Sequence, residues 1–129
     1  MKKKDYIDIS TPMKYHDIKF IETPIFMKFI TELMDDDNYR LLQTELILNP
    51  EKGALIVGGG GIRKIRWSLG KDKGKSSGVR IIYYYKSSAG LIFMLLGYSK
   101  KMATNLSKSQ IKQLRIKAKE LQNEKEIYE

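Results

Sequence analysis

Apolar residues recur along this chain with two different periods. Ile25, Phe26, Phe29, Ile30 and Leu33 follow helical spacing, and Thr23-Pro24 before them supplies an N-cap oxygen and a first-turn proline. This predicts a helix through Met34. Asp35-Asp36-Asp37 marks a second helix start, since carboxylates favour a helix N-terminus. Tyr39, Leu42, Leu46 and Leu48 line that second helix, which ends at Asn49-Pro50. The short joint between the two predicts a helix hairpin. Lys19–Glu22 reads as a short edge strand ahead of it.

After Gly53 the period shortens. Ile62–Ser68, Val79–Tyr85 and Leu91–Tyr98 read as strands, the last two joined by a hairpin connection over Lys86–Gly90. Gly58–Gly61 reads as a flexible hinge leading into the sheet, and Leu69–Gly78 as a Gly/Ser/Lys loop. From Ser107 the helical period returns, with Ile111, Leu114, Ala118 and Leu121 roughly on one face. The order β-α-α-β-β-β-α predicts an α+β domain, its helices packed on one face of a small, mostly antiparallel sheet. Residues 1–17 are polar and aperiodic and read as a flexible arm, leaving 18–129 as a single domain.

Composition narrows the class. With 129 residues and 42% hydrophobic content the chain can bury a modest core. It has no cysteine, so disulfides and thiolate metal sites are excluded. Apolar runs of about eight residues are too short to span a bilayer, and no apolar stretch follows the basic Met1–Lys4, so no secretory signal is read there. These points suit a cytoplasmic protein.

Charge is concentrated. Residues 60–101 hold ten Lys and Arg against Asp72 alone, a balance of +9, which equals the formal charge of the whole chain. The rest of the chain, fourteen positive and fourteen negative residues, is neutral. Such a block suits RNA, DNA, an acidic membrane or an acidic protein.

Strand alternation sorts the block. If Ile65 and Trp67 face the core, Lys64 and Arg66 point the other way, about 7 Å apart, a spacing suited to phosphates. Arg80 shares a face with Ile82 and Tyr84 and can join them, with Lys100 and Lys101 just beyond the last strand. Solvation of a sheet face explains a single lysine; the cluster favours an anion site. Tyr98 can stack on a base, pass a proton or sit in the core. His16 is the only histidine, so a two-histidine nuclease is excluded, and no metal constellation stands out. Gly58–Gly61 lacks the P-loop pattern and precedes a strand.

The runs NPEKG (Asn49–Gly53), GGGGIRKIRW (Gly58–Trp67), GKSSGVRIIYYY (Gly74–Tyr85) and LLGYSK (Leu95–Lys100) resemble the RelE superfamily. The likeness is closest to the HigB-like toxins of type II toxin–antitoxin modules and spans about Phe20 to Leu114. The resemblance implies a RelE-like fold and a ribosome-dependent mRNA endoribonuclease that inhibits translation. Its partners would be the ribosome, mRNA and a cognate antitoxin, expected to be a helix-turn-helix protein. It implies no cofactor or metal: the substrate 2′-hydroxyl attacks the adjacent phosphate and leaves a 2′,3′-cyclic phosphate.

The family's catalytic positions fall on Lys64, Arg66, Arg80 and Lys100 or Lys101. Lys64 is the better base, because Lys can lose a proton when crowded by cations and Arg cannot. Arg66 and Arg80 would stabilise the phosphorane, and Tyr98 would serve as acid or stacking platform. RNA contact is expected from Arg63, Lys71, Lys73, Lys75, Tyr84 and Lys101. Relatives often place Lys-x-Glu and then Asp-Leu after the last strand; here Met102 and Asn105 hold the acidic positions. The alternative is a weak or inactive RNA- or DNA-binding module on the same fold.

Overall fold

The structure, a computed structural model, describes residues 18–69, 78–102 and 105–124. The predicted arm and residues 70–77 of the basic loop, with Lys71, Lys73 and Lys75, lie outside them. The elements are β1 (Lys19–Glu22), α1 (Pro24–Leu33), α2 (Asp36–Leu48), β2 (Ala54–Leu55), β3 (Ile62–Trp67), β4 (Val79–Lys86), β5 (Leu91–Ser99) and α3 (Lys108–Asn123). The strands form one sheet in the order β1-β5-β4-β3-β2. Every neighbouring pair is antiparallel except β1 with β5, and β1 lies at an edge as expected.

Local chemistry explains the helix boundaries. Thr23 caps α1 by accepting the Phe26 N–H, and its hydroxyl also reaches the Met94 and Leu95 carbonyls of β5. The cap therefore fixes the helix start against the sheet. Asp35 caps α2 through the Asn38 N–H at 2.8 Å, and that bond holds its carboxyl below the usual carboxylate range.

Both faces of the sheet are covered, which corrects the expectation of helices on one face. α1 and α2 bury Phe26, Ile30, Leu42 and Leu46 against Ile65, Ile81, Tyr83, Ile92 and Met94. On the opposite face α3 buries Ala118 and Leu121 against Ile62, Ile82, Tyr84 and Phe93. The near-continuous apolar runs of β4 and β5 are the signature of strands buried on both sides.

The glycine run is likewise a built turn instead of a hinge. It joins β3 to β2, a two-residue strand that the sequence pattern did not reveal. Gly58, Gly60 and Gly61 adopt φ of 76°, 70° and 106°, a region that side chains with a Cβ rarely enter. The turn is closed by bonds from Gly59 N to Ile56 O and from Ile56 N to Ile62 O.

Tyr83, fully buried, fastens the segment before β2. Its hydroxyl donates to the Pro50 carbonyl at 2.7 Å and accepts the Gly53 N–H at 2.8 Å. Tyr83→Phe orphans both groups, so a loss of about 1–3 kcal/mol is expected. Urea denaturation should show a lower midpoint with an unchanged m-value.

Candidate active site

Arg66, Arg80 and Tyr98 are direct register partners on three adjacent strands, forming a row across β3, β4 and β5. Neighbouring strands lie about 4.8 Å apart, so the row spans roughly 10 Å. Lys64 sits two residues from Arg66 on the same face of β3, opposite Ile82. The α3 core covers this face where Ile62, Tyr84 and Phe93 lie and extends to Tyr98, which is itself buried in it, while Lys64, Arg66 and Arg80 lie outside that cluster. Beside it a cleft of about 290 Å³ is lined by Arg66, Trp67, Ser68, Gly78, Arg80 and Lys100.

Tyr98 reaches the row because β5 carries a bulge. Ile82 pairs with Leu96, but the next residue, Tyr83, pairs with Met94, so Leu95 is an extra residue. Uninterrupted alternation would put Tyr98 on the face of Ile92 and Met94, under the helix pair. The bulge shifts the parity and sets it beside Arg80.

The electrostatics of the cluster are unusual for a stable sheet. Arg66 and Arg80 stand directly opposite each other, an arrangement that destabilises a strand pair. Arg80 is only 8% exposed. The side-chain ion pairs among the described residues lie elsewhere, at Arg40–Asp37, Lys52–Glu45 and Arg63–Glu51. Burial, then the charges of Arg66 and Arg80, pull the Lys64 ammonium below its ordinary value. Burial pushes the Tyr98 phenol up, partly opposed by Arg80 and Arg66, so it remains a proton donor at neutral pH. Its hydroxyl is buried without a hydrogen-bond partner among the described residues.

The other expected contacts separate. Lys100 lines the cleft and Lys101 is exposed next to it. Arg63 points to the helix-pair side, where its guanidinium donates to the Glu51 and Gly53 carbonyls. It is a clamp for that segment, which corrects its assignment to RNA. Tyr84 is 7% exposed and stacked on Phe93 beneath α3, so it is a core residue instead of a base platform. Trp67 faces the core as expected, half-buried against the helix-pair cluster and bonded to Asn38 through its indole N–H, and it also lines the cleft. Among the described residues no three His, Asp or Glu side chains converge as metal ligands.

One set of cations went unnoticed in the sequence. Lys108, Lys112, Arg115 and Lys119 recur at i, i+4, i+7 and i+11, so they form one stripe on α3, all four exposed. Arg115 lies against the Gly60 turn. The signal is the helical periodicity of charge along KSQIKQLRIKAK.

Exposed Arg66 and buried Arg80 and Tyr98 thus form a row of two cations and a phenol, with Lys64 beside it, on the sheet of a small α+β protein, an arrangement suited to an anion. A family model described as the RelE toxin of the RelE/RelB toxin–antitoxin system matches residues 38–127, from α2 past the end of α3 and including the whole row. The chain belongs to the RelE toxin family. Membership makes it the toxin of such a module, with a cognate antitoxin as partner. Among the described residues no helix is long and apolar enough to cross a membrane.

Proposed function

We propose that this toxin is an endoribonuclease that cleaves mRNA on the ribosome in the cytoplasm and so blocks translation. The observation that carries the reading is Arg80, a buried arginine whose register partner across β3 and β4 is Arg66, a like charge. A scissile phosphate would bridge the two arginines, whose fixed charge stabilises the phosphorane. Neutral Lys64 takes the 2′-hydroxyl proton as O2′ attacks phosphorus. The P–O5′ bond then breaks, and Tyr98 gives its proton to the leaving 5′-oxygen. The products are a 2′,3′-cyclic phosphate and a free 5′-hydroxyl. The test is expression of wild type and of Lys64→Ala/Arg80→Ala with mapping of mRNA ends. New ends and growth arrest are expected from wild type alone; their absence from wild type removes the enzymatic reading in favour of a binding module.

The α3 stripe suits docking on structured RNA. Successive cations are separated by three or four residues, about 5–6 Å of helix rise, and carry charge without base readout. Lys112→Gln/Lys119→Gln is expected to weaken ribosome binding and lower the salt slope of log K by about 2. Titration at several salt concentrations checks this, with thermal unfolding unchanged because both residues are exposed.

A further inference from the structure

A second cavity lies on the far side of Tyr98 from the cleft. It has a volume of about 210 Å³ and is walled by apolar groups of Phe29, Leu96, Met102 and Leu106, with Gln110 as its polar side chain. It opens where the sheet ends. β1 pairs with β5 only as far as Met94, and Thr23 occupies the Met94 and Leu95 carbonyls. The outer edge of β5 beyond that point has no strand beside it among the described residues.

Gln110 is held in one orientation. It is the third residue of α3, and its Oε1 accepts the Ser107 N–H at 2.8 Å while Ser107 Oγ accepts the Gln110 N–H at 3.1 Å. This capping box uses the oxygen end of the amide. The Nε2 end is left as a donor. Three features therefore coincide: an apolar slot, a donor held by the capping box and, in the cavity's Tyr98 wall, a buried hydroxyl without a partner among the described residues.

We propose that this cavity is a nucleobase subsite, and that the fixed Gln110 amide selects bases presenting a carbonyl oxygen. The inference rests on the endoribonuclease reading for its RNA strand. The size fits: about 210 Å³ lies below the range of drug-sized sites, roughly 300–1,000 Å³, and suits one planar ring system. Phe29 and Met102 can sandwich its faces, as unstacked bases are held elsewhere by aromatic and apolar groups. The reach fits as well. From the Arg66–Arg80 pair to a position beyond β5 is about two strand spacings, near 10 Å, within one or two nucleotides of a phosphate held on the row. A donor at the slot favours uracil or guanine, whose O4 or O6 accepts. Adenine and cytosine present an amino group at the equivalent place.

Gln110→Glu separates recognition from folding. Glutamate at this position keeps the capping box and adds favourable charge at the α3 N-terminus, so the thermal midpoint should hold or rise. The donor becomes an acceptor. Trinucleotides UUU and AAA are titrated against the fluorescence of Trp67, the only tryptophan, which lines the neighbouring cleft. Wild type should prefer UUU by about tenfold, and Gln110→Glu should reverse the order. Met102→Phe, at an exposed rim position, should fill the slot and erase the preference while phosphate binding persists, and it leaves Trp67 the only tryptophan.

An equal UUU/AAA ratio in wild type and Gln110→Glu overturns the subsite. That is the result expected if the free β5 edge takes an extended peptide instead. Since the readout is binding, wild type that shows the preference but cleaves nothing would remove the enzymatic reading and leave the subsite standing.

Discussion

Replacing Arg80 with methionine is expected to abolish mRNA cleavage and, at the same time, raise the midpoint of thermal unfolding. The two effects share one cause. In the free toxin Arg80 is 8% exposed and its register partner on β3 is Arg66, a like charge. Burying a charge without a counter-ion is costly, and like charges opposite each other on strands add to the cost. Methionine fills a similar volume and removes both penalties, worth about 1–2 kcal/mol. For a chain of this size that is roughly 3–6 °C. Cleavage should fall by on the order of 10²–10³, the loss seen when a donor to a developing oxyanion is removed. Calorimetry and end-mapping on purified ribosomes check both. Sulfate, a phosphate mimic, should stabilise wild type more than Arg80→Met. A lower midpoint in the variant would mean that Arg80 holds the fold instead of a ligand.

The second large effect concerns Lys64. Its ammonium is held below the ordinary 10.5 by burial and by Arg66 and Arg80. A general base must be neutral, so kcat/KM should rise with pH along a limb centred below 10.5. Lys64→Arg keeps the positive charge but cannot lose its proton. It should lose about 10²–10⁴ in rate and abolish that limb, whereas a purely electrostatic lysine would tolerate arginine and keep its profile. Stability carries the matching sign. Between the lowered folded value and 10.5 the unfolded chain binds more protons at this site, so folding strengthens as pH rises through that window. Lys64→Met should remove this dependence.

Much of the fold was legible along the chain. Thr23-Pro24 and Asp35 marked helix starts because a cap needs a particular side chain within a few residues of the backbone it satisfies. The main strands were legible because short β-branched and aromatic runs are bounded by Gly, Ser and Lys turns. The two-residue β2 was not, because its pairing depends on the glycine turn and on β3, beyond any local period. The placement of α3 was not either, since an apolar helical stripe does not say which face of a sheet it covers.

The site divides the same way. Sequence by itself determined that Lys64 and Arg66 share a face, because side chains alternate along a strand, that Arg80 could join them, and that the chain's excess positive charge lies in residues 60–101. It also placed Tyr98 at the end of the last strand, beside Lys100. Only the tertiary structure decided which aromatic group joins the row. The Leu95 bulge reverses the parity of β5 and brings Tyr98 beside Arg80, while α3 closes over Tyr84 and removes it from solvent. Arg63 is turned away by the single-residue step that separates it from Lys64. Parity is local until a bulge or a covering helix intervenes, and both are set by packing between segments far apart in the chain.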